Sequence, residues 1–172
     1  MNQVINLKIN KRIFNEVYYP YLLDYSHRYE VYYGGAGSGK SVFAFQKVVI
    51  KSCKFKRRVL VVRKVGNTHL NSTFTNITNI LTQFKIISLC NINKSTMKIT
   101  LPNESEFIFV GVDDAEKLKS IADITDIVIE EATELSLDDI TQLDLRLRAK
   151  VDDLQMFFMF NPTSKANWVY AR

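Results

Sequence analysis

Three short groups of polar residues, each following an apolar run, carry the chemistry available to this chain. The first is Gly34-Gly35-Ala36-Gly37-Ser38-Gly39-Lys40-Ser41, directly after Val31, Tyr32 and Tyr33 and directly before a helical stretch from Val42 to Ile50. Its spacing is G-x-x-x-x-G-K-[ST]. Glycines there let successive N–H groups turn inward on a phosphate chain, and the helix N-terminus adds its positive end. In that role Gly34 to Ser41 cradle the phosphates, Lys40 reaches the terminal ones, and the Ser41 hydroxyl ligates Mg²⁺.

The second group ends the run Thr125-Asp126-Ile127-Val128-Ile129-Glu130-Glu131. An apolar strand finishing in two acids sets both carboxylates at the C-terminal edge of a sheet, where open α/β folds bind ligands. Glu130 is assigned to the metal and Glu131 to the water that attacks a γ-phosphate. The third group is Asn161-Pro162, after Met156 to Phe160. Asn161 is placed to hydrogen-bond the γ-phosphate or the attacking water, and Pro162 to stop the strand. Taken singly, the acid pair also reads as a solvated turn, and Asn-Pro as an ordinary one. Beside the phosphate loop, the catalytic readings are preferred.

These groups need a scaffold that brings three strand ends together. Arg58 to Arg63 is a short apolar run of the kind buried on both faces of a sheet. Leu70, Phe74, Ile77, Leu81 and Phe84 recur at helical spacing, which predicts a helix over residues 68–84. Met97 to Leu101 and Phe107 to Val110, split by Pro102-Asn103, predict an antiparallel hairpin. Ser136 with Asp139 has the form of a capping box, and Leu137, Ile140, Leu143 and Leu147 give the next helix its stripe. Strands alternating with helices predict an α/β fold with a mostly parallel sheet flanked by helices. The long interval between Lys40 and Glu130 leaves room for Arg58–Arg63 as an intervening strand. That is the P-loop NTPase arrangement of the additional-strand, catalytic-glutamate type.

The bulk properties narrow the class. A chain of 172 residues, 47% hydrophobic and 24% charged, is expected to form one globular ATPase domain over residues 1–172, with an aromatic lead-in at 1–29. That lead-in is read as packing on the core or covering a nucleotide base. A net charge of +5 leaves a polyanionic partner open without establishing one. Lys47, Lys51, Lys54, Lys56, Arg57 and Arg58 crowd one stretch. They are read as cations suiting a helix C-terminus and a soluble turn, with DNA backbone contact as the other option. Cys53 and Cys90 stand apart from any Cys/His cluster, so a reduced, cytosolic setting is expected. His27 and His69 are read as surface or loop residues. No segment has a signal-peptide build, and no apolar run approaches the roughly 18 residues of a bilayer span, so no membrane association is expected.

Together with their surroundings, these groups resemble the ATPase domain of the bacteriophage terminase large subunit. The resemblance is carried by Tyr32 to Ser41, Val62-Arg63-Lys64, Val110 to Ser120, Ile129 to Leu135 and Phe160 to Tyr170. It covers about residue 28 to 172. It implies an ATP- and Mg²⁺-dependent motor that drives double-stranded DNA into a procapsid through a portal protein. It also implies a homo-oligomeric ring, a small terminase subunit as partner, and a place in the bacterial host cytoplasm. Two departures stand out. Many relatives carry Arg where this chain has Ala36, so a compensating cation is sought among Arg146, Arg148, Lys117, Lys119 and Arg63. At least one of Arg146 and Arg148 is read as a solvated helix face. The family also continues into an RNase H-like nuclease, which the sequence ending at Arg172 does not contain. Two other functions fit the same residues: a nucleotide-binding docking module without turnover of its own, and another translocase or helicase of this ATPase branch.

Overall fold

In the computed structural model, which describes residues 5, 7, 9–162 and 168, seven strands form one sheet. In chain order the elements are β1 (Tyr29–Tyr33), α1 (Lys40–Lys54), β2 (Arg58–Arg63), α2 (Thr73–Gln83), β3 (Asn91–Asn93) and β4 (Lys98–Thr100). They continue with β5 (Glu106–Gly111), α3 (Ala115–Ser120), β6 (Asp126–Glu130), α4 (Leu137–Asp144) and β7 (Gln155–Phe160). Across the sheet the order is β1-β7-β6-β2-β5-β4-β3. The first five strands in that order run parallel, and β4 and β3 join antiparallel at one edge.

The strands read as apolar on successive residues because both faces are covered. Phe45, Val48 and Val49 of α1 and Phe74, Ile77 and Leu81 of α2 pack on Val59, Val61, Phe107, Phe109, Val128 and Phe157. Leu118 of α3 and Ile140 and Leu143 of α4 cover the alternate set, Leu60, Val62, Ile127, Ile129, Met156 and Phe158. This two-sided burial is the signature of crossover connections through helices.

Several expectations needed adjustment. The strand lying between the phosphate-loop strand β1 and the acid-ending strand β6 is β7; the Arg58–Arg63 strand lies on the far side of β6. The additional-strand arrangement therefore holds, but a later segment supplies the strand. The second helix begins at Thr73, and Leu70 precedes it, 43% exposed, although Phe74, Ile77, Leu81 and Phe84 are buried as spaced. The capping box is present: Ser136 N–H donates to Asp139 Oδ2 at 2.8 Å and Asp139 N–H donates to Ser136 Oγ at 3.1 Å. α4 nevertheless ends at Asp144, so Leu147 is buried by the chain beyond the helix, and Arg146 and Arg148 are not on a helix face. The hairpin forms between β4 and β5, and β3 adds a strand that the sequence pattern did not reveal.

The basic stretch around residues 47–58 is the largest correction. Lys51 is fully buried and donates to Asp126 Oδ1 at 2.6 Å, Gln155 Oε1 at 2.8 Å and the Asp153 carbonyl at 2.7 Å. Lys47 is buried against Glu30, with bonds of 2.7 and 2.8 Å. Arg57 grips both Asp153 oxygens at 2.5 Å. Burial pushes the Asp126 carboxyl up and the Lys51 ammonium down, and each partner's charge resists the shift of the other. These cations hold the N-terminal ends of β1, β6 and β7 to α1. Lys56 and Arg58 pair with Glu104 and Glu106. Along the sequence this run of charge reads as surface, whereas half of it is interior; the helical spacing of Lys47 and Lys51 on the sheet-facing side is the signal that separates the two.

Candidate active site

The residues predicted to do chemistry meet at the rim formed by the C-terminal ends of β1, β7 and β6. From β1 the chain enters the glycine-rich loop, where Gly37 and Gly39 adopt φ of 76° and 81°. Those values belong to the left-handed region that only glycine enters at no cost. Gly39 then acts as the N-cap of α1 without offering a side-chain acceptor. Among the described residues, the N–H groups of Gly37, Gly39, Lys40 and Ser41 have no hydrogen-bond acceptor. A Cβ at Gly35 or Gly37 would meet no atom within 4 Å, so open space adjoins the loop at both positions. That is the chemistry of an anion cradle.

Lys40, the first residue of α1, is 8% exposed and donates to Asn161 Oδ1 at 2.7 Å and to the Gly35 carbonyl at 3.5 Å. Asn161 follows β7 directly, and Pro162 follows it, as the strand-ending reading requires. Ser41 sits next to Lys40 on the first helical turn. Burial raises the Glu130 carboxyl above its ordinary range; Arg63 and Lys40 pull it down, and neighbouring Glu131 pushes it up. The Lys40 charge therefore reaches the Glu130 carboxyl across the rim. Glu131 leaves the strand in a left-handed backbone conformation, φ 57° and ψ 49°. For a residue with a Cβ this costs about 1 kcal/mol, the kind of strain retained where aim matters.

The donor set suits a hard divalent cation beside phosphate: a hydroxyl at Ser41, a buried carboxylate at Glu130, and space beside an ammonium. Glu130 Oε2 is buried without a hydrogen bond, with Arg63 Nε 3.4 Å away, which leaves the other carboxylate oxygen for a metal's shell. Ser41, Glu130 and the loop amides fit Mg²⁺ and a triphosphate.

Around this rim sit residues whose part the sequence did not reveal. The lead-in packs on the core as expected and borders the loop: Tyr18 stacks on Phe43 with centroids 4.4 Å apart, and its hydroxyl donates to the Ser38 carbonyl at 3.4 Å. His69 lies in the connection between β2 and α2, as its loop reading has it, but it is buried rather than at the surface. Thr73 Oγ1 and the Val110 carbonyl lie 2.6 and 2.9 Å from its ring nitrogens. Because the carbonyl can only accept, Nε2 carries the proton, and burial lowers the imidazole's affinity for a second one. His27 is exposed, as read. Of the five cations considered as charge partners, Arg63 alone is placed against Glu130, at 3.4 Å. Lys117 bonds the Phe109 carbonyl, and Arg148 lines a cavity of about 900 Å³ at the opposite rim with Lys56, Lys98 and Lys150. Thr163 to Asn167, Val169 and Tyr170, which take part in the resemblance, lie outside the described residues. Trp168 donates to the Leu135 carbonyl at 2.7 Å.

Comparison with known proteins agrees with this geometry. The family model described as phage terminase large subunit matches residues 26–172. The PBSX phage terminase large subunit of Bacillus subtilis (strain 168) is 33% identical over 156 residues, covering 91% of this chain and 36% of its own length. The structure of the large terminase of a thermophilic bacteriophage superposes with a TM-score of 0.69 at 15% identity, covering 85% of this chain and 37% of that one. That large terminase has also been solved in complex with ATP-gamma-S. The ATPase domain of a Thermus phage large terminase gives a TM-score of 0.63 at 15% identity, over 84% of this chain and 62% of that one. The chain spans little more than a third of the length of its PBSX relative. Among the described residues, no helix is long and apolar enough to cross a membrane. By family model, relatives and fold alike, this chain belongs to the phage terminase large subunit family, and its sheet is that of the family's ATPase domains.

Proposed function

We propose that this chain is an ATP-hydrolysing domain that powers translocation of double-stranded viral DNA into a procapsid. The observation carrying the proposal is the 2.7 Å bond from Lys40 to Asn161, with Glu130 close enough to feel the Lys40 charge. The bond joins the start of α1 to the end of β7, beside the acid-bearing end of β6. The loop amides and Lys40 bind the triphosphate. Ser41 and Glu130 would hold Mg²⁺, which when bound would supply positive charge beside the phosphates. Glu131 accepts the proton of the attacking water. Asn161 exchanges its bond with Lys40 for one to the γ-phosphate or that water, so strand β7 registers whether the phosphate is present. Support for the nucleotide comes from a relative of the same fold solved with ATP-gamma-S, and support for the task from the family.

On this reading the domain occupies residues 1–172, works in a homo-oligomeric ring, and meets a portal protein, a small terminase subunit and DNA in the bacterial host cytoplasm. The DNA contact needs phosphate recognition only, since packaging proceeds regardless of sequence. One experiment tests the proposal: phosphate release from Mg-ATP by this chain, with and without double-stranded DNA. Release that rises with DNA is expected. Nucleotide binding without release would instead make the chain a docking module, a reading kept open by its spanning only a third of a relative's length.

A further inference from the structure

Val62 lies opposite Ile129, so the next residues, Arg63 and Glu130, end two adjacent parallel strands at the same rim. Arg63 Nε stands 3.4 Å from Glu130 Oε2. The same guanidinium is fixed from the other side: Nη1 donates to Ser72 Oγ at 2.9 Å and to the Thr68 carbonyl at 3.4 Å. The Ser72 hydroxyl donates to that carbonyl too, at 2.9 Å, which leaves its lone pairs for Arg63. Both charged side chains are largely buried, 18% and 12% exposed. The segment supplying Thr68 and Ser72 is itself anchored. Asp113 Oδ1 accepts from the Gly66 N–H at 3.0 Å, and His69 reaches the Val110 carbonyl on β5.

We propose that Arg63 is a positioning residue for Glu130. It clamps one carboxylate oxygen, Oε2, so that the other is presented to the metal's shell, and it draws its rigidity from Ser72 and the connection between β2 and α2. This rests on the proposed hydrolytic function and extends it to a residue outside the three chemical groups. A guanidinium suits the task because its planar fork faces three oxygens at once, two through hydrogen bonds and Glu130 Oε2 through charge at 3.4 Å, which an ammonium on a flexible stem does less well. Arg63 is committed within its own subunit by these contacts.

The test is an equilibrium titration without turnover. Binding of a methylanthraniloyl-labelled, non-hydrolysable ATP analogue is followed by fluorescence as MgCl₂ is raised, for the full chain and for Arg63→Met, Arg63→Lys and Ser72→Ala. Outer-shell residues of metal sites change metal affinity by about 10–100-fold when removed. Arg63→Met should raise the Mg²⁺ concentration at half-saturation about tenfold, while binding in EDTA changes less than about twofold. Arg63→Lys should recover part of the loss, and Ser72→Ala should show a smaller rise of about threefold, since it removes one support of the clamp. An unchanged or lowered half-saturation in Arg63→Met overturns the proposal. If that variant does not fold by circular dichroism, unchanged half-saturation in both other variants overturns it equally. The unsubstituted chain separates the two ideas: its Mg²⁺ dependence tests the hydrolytic site, and the ratio of variant to parent tests Arg63.

Discussion

Lys40 and Asn161 are 121 residues apart in sequence and joined by a 2.7 Å hydrogen bond. The bond ties the phosphate loop to the strand that lies between it and the acid-ending strand. Because Lys40 also bonds the Gly35 carbonyl, one ammonium holds the loop closed on itself and on β7. Any phosphate that takes this ammonium must compete with an amide oxygen and a carbonyl, both neutral acceptors and weaker partners than an anion.

Removing the ammonium should therefore weaken affinity, whereas removing the amide should change it little. Lys40→Ala is expected to weaken ATP-analogue binding at least about tenfold, the loss of one charge-assisted contact of about 1.5–3 kcal/mol. Asn161→Ala should bind within about threefold of the parent and release phosphate more slowly. Isothermal titration and a phosphate-release assay distinguish the two. Equal loss of binding in both would show that Asn161 serves only to order the loop.

The Lys51–Asp126 pair predicts a large stability effect far from the chemistry. Lys51→Met leaves Asp126 buried without its partner, a change that costs about 3–5 kcal/mol in comparable pairs. At about 2–4 °C per kcal/mol for a chain of this size, Tm should fall by about 10 °C. Lys51→Met with Asp126→Leu should recover much of that loss, because no isolated charge remains. Differential scanning fluorimetry checks both.

The capping box gives a pH dependence with a definite sign. Burial works against the charge on Asp139, but the Ser136 and Lys64 hydrogen bonds outweigh it, and its pKa falls below the ordinary value. With the folded pKa lower than the unfolded one, the contribution is fully present above about pH 4 and is lost as pH falls through the folded value. Asp139→Asn should lower Tm by about 2–4 °C at pH 7, the worth of about 1 kcal/mol for a cap. Thermal melts of the two proteins should converge below about pH 3.

Gly111 presses on the turn that supports Arg63. A Cβ there would fall 1.9 Å from Asp113 Oδ1 and 2.2 Å from the Gly66 nitrogen, and the second of these is backbone that cannot rotate away. Gly111→Ala should cost about 1–3 kcal/mol, in line with overpacking elsewhere. A chemical denaturation curve whose midpoint moves by less than about 0.2 M urea would contradict that contact, given slopes of about 1–3 kcal/mol per molar.

The sequence made the candidate-site residues legible more readily than the framework. Glycines at fixed spacing before Lys40, followed by acids closing a later apolar run, stand out in combination because few folds pair such patterns otherwise. Strand order is different in kind. Nothing local marks β7 as the neighbour of β1, since that pairing joins Val31 to Phe158 across most of the chain. Lys47 and Lys51 were misread because charge along a sequence carries no record of what faces it; their partners, Glu30 and Asp126, lie on strands. Arg63 was visible as a cation near the site, but its commitment to Glu130 depended on β2 and β6 being adjacent.

Central to the proposed function is one rim where Lys40, Ser41, Glu130 and Glu131 would act on a single triphosphate. Glu131→Gln keeps the shape and charge-neutral hydrogen bonding of that side chain but removes the base. Its measurement beside the parent, by analogue binding and by phosphate release in the same Mg²⁺ buffer, tests the assignment directly. The account predicts binding within about threefold of the parent and release reduced at least about a hundredfold, the range lost with a general base. Release from Glu131→Gln at the parent's rate would contradict it.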